Sequence, residues 1–253
     1  MNEKDTGHEH TGLGMELKLL LREPPLLISI AAVFLLFGVF IIYPFVKILL
    51  VPTEADWIRA ITGREFILVF GHTLFSSFIA TATAIVFGFL FAYGINYTDM
   101  PCKRFFQVVA LLPTMAPSVV TGLAFIMLFG RRGFITWQLL HLKVDLYGPF
   151  GLWVAQTIAF FPLAYITISG VLKSISPNLE LAAQNLGARG WYLFRTVTLR
   201  LATPGLASAF LLVAINSLAD FGNPMLVGGN YHVLATEAYT QVTGAWDLPM
   251  GAT

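Results

Sequence analysis

Residues 178–206 read NLELAAQNLGARGWYLFRTVTLRLATPGL and lie between two long apolar stretches. Just before them, Ser176 and Pro177 start a helix, since serine suits the cap position and proline the first helical position. Glu180 then falls near the positive end of the helix dipole. Leu179, Ala182, Ala183 and Leu186 share one side of this short helix, and Gly187 ends it, as a C-terminal glycine does. A second amphipathic run over 191–201 puts Phe194, Val197 and Leu201 on one face, with Arg195 and Arg200 off it. Pro204 is expected to close the element. The pattern predicts a helix, a glycine turn and a second helix over residues 174–204. On the residues alone two roles stay open. One is a helix lying on lipid headgroups with its arginines near anionic lipid. The other is a projecting knob that fits a partner's groove.

Outward from this segment the chain is apolar. Of its 253 residues 57% are hydrophobic and only 11% charged, against about 25% charged in a soluble domain. A helix that crosses a bilayer needs roughly 20 mostly apolar residues. Five stretches qualify: 26–46, 66–95, 105–129, 150–172 and 205–227. The first is too long for a cleaved signal core and lacks a small-x-small site after it. Residues 1–25 read as a polar tail. With the N-terminus inside, the inner segments carry Lys4, Lys18, Arg22, Lys103, Arg104, Lys173, Arg189, Arg195 and Arg200. The outer ones carry Arg59, Arg64, Arg131, Arg132, Lys143 and, at a helix end, Lys47. The positive-inside rule therefore places the N-terminus and the 174–204 segment in the cytoplasm. A net charge of +1 gives no sign of nucleic acid, and Cys102, the one cysteine, excludes an intrachain disulfide.

Within the spans, Ser76, Ala80, Ala84, Gly88 and Ala92 recur every fourth residue, a ridge of small side chains on which two helices can approach closely in lipid. Pro113, Pro117 and Pro162 each remove a backbone donor and are expected to disturb their helices. Asn216 and Asp220 are four apart, which places them on one face of the fifth helix. They read either as a pore-lining or gating pair or as the mark of the helix's outer end. His72, His141 and His232 are scattered, and HEH at 8–10 is at most a loose metal site in the tail. DFG at 220–222 has no kinase context, so Gly222, Asn223 and Pro224 read as the end of a helix. FGRRG at 129–133 lacks the spacing of a phosphate loop. The chain carries no recognised ATP-binding device, cofactor site or metal-protease motif.

The opening segment resembles the cytoplasmic loop of ABC importer permeases, E-A-A-x-x-x-G followed about a dozen residues later by Leu-Pro. Ala182, Ala183 and Gly187 fall on the two alanines and the glycine, and Leu186-Gly187-Ala188 is the LGA of the motif. Leu181 stands at the glutamate position, with Glu180 one residue earlier, and Arg200 stands at the later proline position. LLPTMAPSVVTGLAFIMLFGRRGFIT (111–136) and ADFGNPMLVGGNYHVLATEAYTQVTGA (219–245) look like the subgroup typified by bacterial ferric-iron importers, where two six-helix halves are often fused. The resemblance implies an all-α integral membrane protein, a type I ABC importer permease-like bundle in the bacterial inner membrane. Residues 26–253 would be most of a first half, with the sixth helix missing. It implies a coupling loop carried by Glu180, Ala182, Ala183, Gly187 and Ala188. The implied partners are cytoplasmic ATP-binding subunits, which would hold the ATP and Mg, a periplasmic or extracellular solute-binding protein and a second permease half. Ferric iron is the expected solute, with phosphonate, sugar phosphate, thiamine or polyamine as alternatives. A passive channel or structural membrane subunit is the alternative of another class.

Overall fold

The computed structural model describes residues 24–141 and 145–253; the HEH tail lies outside them. They form two compact units, residues 61–246 and a smaller one that joins residues before 61 to residues 247–253. The smaller unit holds the apolar helix α1 (Pro25–Leu49) and most of α2 (Glu54–Thr62). The carboxylate of Asp56 accepts from the backbone N–H and hydroxyl of Thr53 at 2.8 and 2.6 Å, which fastens the start of α2.

The larger unit is built on three helices: α3 (Arg64–Tyr97), α6 (Pro149–Ser174) and α8 (Gly190–Leu218). Between α3 and α6 lie α4 (Lys103–Leu111) and α5 (Ser118–Phe129). Between α6 and α8 lies α7 (Pro177–Asn185). After α8 come α9 (Gly222–Val227) and α10 (Leu234–Thr243). Hydrogen bonds fix the directions. Thr83 meets Thr157 at 2.7 Å and Asn96 meets Ser169 at 2.9 Å, so α3 and α6 run parallel. Ser77 donates to the Ala214 carbonyl while Phe89, further along α3, meets Phe194, so α8 runs against them.

The small-residue ridge of α3 explains the packing. Ser76, Ala80, Ala84, Gly88 and Ala92 are all buried. A Cβ on Gly88 would lie 2.7 Å from the Ala164 Cβ and 2.9 Å from the Tyr165 nitrogen of α6. Lipid tails are as apolar as leucine, so association in a bilayer rests on such close packing and on interhelical hydrogen bonds. Ala164, Ile168, Leu172, Ala209 and Val213 complete the seam.

Among the described residues five helices are long and apolar enough to cross a membrane. Three coincide with the expected spans, and two boundaries move. The apolar run at 105–129 is not one helix. It is α4, a tight turn at Leu112–Met115, then α5, and the candidate span is Ser118–Leu139. Pro113 and Pro117 lack the N–H a continuous helix needs, and Ala116, the residue before Pro117, is extended at ψ 134°. The fifth span begins at Gly190 rather than 205 and ends at Leu218 rather than 227. The amphipathic run at 191–201 is therefore the first part of that span and not a separate helix, and Pro204 sits inside α8 without ending it. Pro162 is likewise buried inside an unbroken α6.

Candidate functional site

The segment after α6 is an exposed turn. Ser176 occupies the cap position of α7 through its backbone, its side chain making no capping bond, and Pro177 follows at the first position. At the other end the Ala188 N–H donates to the Ala183 carbonyl at 3.0 Å and the Gly187 N–H to Gln184 at 2.9 Å. This double closure needs a left-handed residue at its centre, and Gly187 has φ +92°. Leu186 is left 90% exposed at the tip; Leu179, Leu181 and Ala182 are exposed, Ala183 and Ala188 half-buried. A recess of about 400 Å³, lined by Gln184, Asn185, Arg189, Gly190 and Leu193, opens beside it. Trp191 is 73% exposed and stacks on Phe194, whose ring meets those of Phe89 and Tyr93 on α3.

Glu180 does not face solvent freely. Its Oε1 accepts the hydroxyl of Thr198 at 2.6 Å. Thr198 ends a wide turn, Phe194–Thr198, within the helical run of α8. Such single wide turns recur at functional positions. The carboxylate therefore ties α7 to α8.

At the opposite end of the bundle the expected pair separates. Asn216 is exposed and its amide returns to the Leu212 carbonyl of its own helix at 2.8 Å. Asp220 lies two residues past the end of α8, where the chain turns inward, and is 5% exposed. Its Oδ2 accepts from Asn223 Nδ2 at 2.8 Å and Gln156 Nε2 at 3.2 Å. The Ser217 hydroxyl donates to Gln156 Oε1 at 3.3 Å. The two residues thus share no face, because the helical turn that would align them ends at Leu218. Gly222, Asn223 and Pro224 start α9 instead of ending a helix. Nothing in the sequence singled out Gln156, and Asn223 was read only as part of a helix end; each is at most 2% exposed, and only the fold brings them to Asp220.

His72 and His232, scattered in sequence, also meet at this end. His72 Nδ1 lies 3.2 Å from the His232 carbonyl, and its ring stacks on Tyr231 at 4.0 Å. The Tyr231 hydroxyl donates to the His72 carbonyl, and the Leu234 N–H to Thr73 Oγ1 at 2.9 Å. His232 pairs with Glu237 at 2.9 Å. Burial works to raise the Glu237 carboxyl, but hydrogen bonds from His232 and Gln241 outweigh it and hold the group below its ordinary value. No group of three or more metal-ligating His, Cys, Asp or Glu occurs among the described residues. A second recess, about 410 Å³, is lined there by Arg131, Asp145, Tyr147, Asn230 and Tyr231 among others, with Arg131 and Asp145 paired at 2.6 Å.

The family described as binding-protein-dependent transport system inner membrane component matches residues 84–246, which include the exposed turn and the buried polar node. The chain belongs to this family. Among curated proteins the permease is 31% identical over 248 residues to the putative ferric transport system permease protein FbpB 1 of Haemophilus influenzae, covering 91% of this chain and 38% of that one. It is 33% identical over 233 residues to the ferric transport system permease protein FbpB of Actinobacillus pleuropneumoniae, covering 86% and 33%. The permease therefore spans two fifths or less of the length of these relatives. The sulfate transport system permease protein CysT of Escherichia coli is 30% identical over 177 residues, with 70% and 64% covered. A crystal structure of a bacterial ABC transporter involved in the import of the acidic polysaccharide alginate shares the fold at TM-score 0.76 and 17% identity, covering 94% of this chain and 91% of that one. This chain is thus an all-α, multi-pass component of the ABC importer permease kind, a transport subunit.

Proposed function

We propose that this chain is part of the membrane permease of an ATP-driven importer that takes ferric iron from a solute-binding protein. The exposed turn at 175–189 carries the reading. It presents apolar side chains at the tip of a closed glycine turn, on the residues that match the family's loop. In the proposed machine separate ATP-binding subunits, which hold the ATP and Mg, dock there in the cytoplasm. The N-terminus is cytoplasmic, the membrane is the bacterial inner membrane, and a second permease half completes the pathway. The binding protein meets the opposite end, around Arg131, Asp145 and Tyr231. That an alginate transporter was crystallised with a pentasaccharide-bound periplasmic protein supports a partner of this kind. Each docking event biases the bundle between an inward-open and an outward-open form.

The ferric reading rests on the names of the two FbpB relatives. A second solute class, the tetrahedral oxyanions, is favoured by the sulfate relative and by the molybdenum transport system permease protein ModB of Escherichia coli, 34% identical over 155 residues. Proteoliposomes of the full-length permease with its ATP-binding subunits and binding protein decide between them. Uptake of radiolabelled iron that needs ATP and the binding protein supports the first. Uptake of sulfate or molybdate and not iron overturns it.

A further inference from the structure

The exposed turn and the buried node lie at opposite ends of one hairpin. α6 runs into the 175–189 turn and α8 runs out of it, antiparallel. At the turn end Glu180 joins Thr198. At the far end Gln156 of α6 joins both Ser217 of α8 and Asp220 beyond it. From Gln156 to Ser174 is 18 residues, about 27 Å of helix at 1.5 Å per residue. Two packed helices, joined directly at the far end and through α7 at the turn end, move as one lever, since close-packed interiors transmit displacement and do not absorb it.

Asp220 extends the lever by one element. Its second grip is Asn223, which is fully buried in α9 and also donates its backbone N–H to Asp220 Oδ1 at 3.4 Å. α9 lies hard on α5. A Cβ on Gly122 would stand 3.0 Å from Leu226 and 3.3 Å from Asn223 Oδ1. The Val227 carbonyl in turn receives the Gly148 N–H at 2.8 Å. The carboxylate is thus the joint at which α6, α8 and α9 meet.

We infer that Asp220 is a positioning residue of the coupling path: it locks the far end of the α6–α8 hairpin to α9, so that displacement of the 175–189 turn carries α9 and the 228–233 loop with it. The inference rests on the importer reading, in which the ATP-binding subunits move that turn. It differs from a gating role, because Asp220 is buried and its oxygens are taken up by Gln156 and Asn223. It also differs from a simple fold requirement, because what is read is the response of 222–233 to nucleotide bound at the turn end, not the basal exchange beside Asp220.

The test is hydrogen exchange on the full-length permease with its ATP-binding subunits in lipid nanodiscs, with and without a non-hydrolysable ATP analogue. In the wild-type complex the analogue changes exchange at 178–188 and at 222–233. In Asp220→Ala and in Gln156→Leu the change at 178–188 persists, and the change at 222–233 falls at least threefold. Asp220→Asn, which keeps one acceptor oxygen, retains at least half of it. An undiminished response at 222–233 in both Asp220→Ala and Gln156→Leu overturns the proposal. So does failure of both variants to assemble, which would make the node a requirement of the fold alone. A wild-type response at the turn with none at 222–233 overturns the proposal and leaves the importer reading intact. No wild-type response at the turn overturns the importer reading, and the proposal with it.

Discussion

The crossing of α3 and α6 at Gly88 gives a stability prediction that can be worked from the geometry. An alanine Cβ there would stand 2.7 Å from the Ala164 Cβ and 2.9 Å from the Tyr165 nitrogen. Two carbons in ordinary contact are about 3.5–4.0 Å apart, so the helices must part by about 1 Å. A gap of 0.5–1 Å forfeits about a quarter to a half of the attraction in each contact it opens. The neighbouring turns of the ridge, at Ala84 and Ala92, are fully buried and lose contact with it. Overpacking of this kind costs about 1–3 kcal/mol, while replacing a helical glycine by alanine returns up to about 1 kcal/mol. Gly88→Ala should therefore destabilise by about 1–2 kcal/mol, and Gly88→Leu by more. Gly71 on the same helix is the control, since a Cβ there meets nothing within 4 Å. Unfolding in mixed micelles, followed by circular dichroism as denaturing detergent is titrated in, measures both. Gly71→Ala should match or exceed wild type. If Gly88→Ala is as stable as Gly71→Ala, the close approach does not hold the bundle together and the reasoning fails.

Further outcomes follow from the two ends. Gly187→Val forces a side chain into the left-handed region, at about 1–2 kcal/mol locally; insertion should stay normal while solute uptake by the full complex falls strongly, and normal uptake would remove the turn from the mechanism. In a background without Cys102, an impermeant thiol reagent applied from outside should label a cysteine at Tyr231 and spare one at Ala188; the reverse pattern would invert the topology. Because the folded Glu237 carboxyl sits below its ordinary value, its contribution is present above the unfolded value and is lost as pH falls through the folded one. Exchange protection over 228–243 should accordingly drop on acidification, and Glu237→Gln should flatten that dependence; an unchanged pH profile in the variant would show that Glu237 does not hold the segment.

Much of the fold was legible because membrane spans need only length and apolarity, and the ridge at 76, 80, 84, 88 and 92 announces its packing by spacing. The two displaced boundaries have separate causes. At 105–129 the apolar run continued across a backbone break that Pro113 and Pro117 impose, so hydropathy bridged what hydrogen bonding could not. At 190–204 the arginines and Pro204 suggested a separate surface helix, yet Arg195 and Arg200 simply occupy the exposed side of a longer one. The exposed turn was readable because capping and glycine chemistry are local. The Glu180–Thr198 bond joins residues 18 apart, and the Gln156–Asp220 bond residues 64 apart. Helical spacing does not foretell such pairings, and it wrongly set Asn216 and Asp220 on one face because it assumed the helix continued past Leu218.

The docking role of the turn is tested most directly by a photo-reactive amino acid in place of Leu186, the side chain at the tip. The full-length permease carrying it is reconstituted with its ATP-binding subunits in proteoliposomes and illuminated. A covalent adduct with the ATP-binding subunit is the expected result. Adducts with lipid alone, while those subunits are present, would contradict it and return the turn to a helix resting on the headgroups.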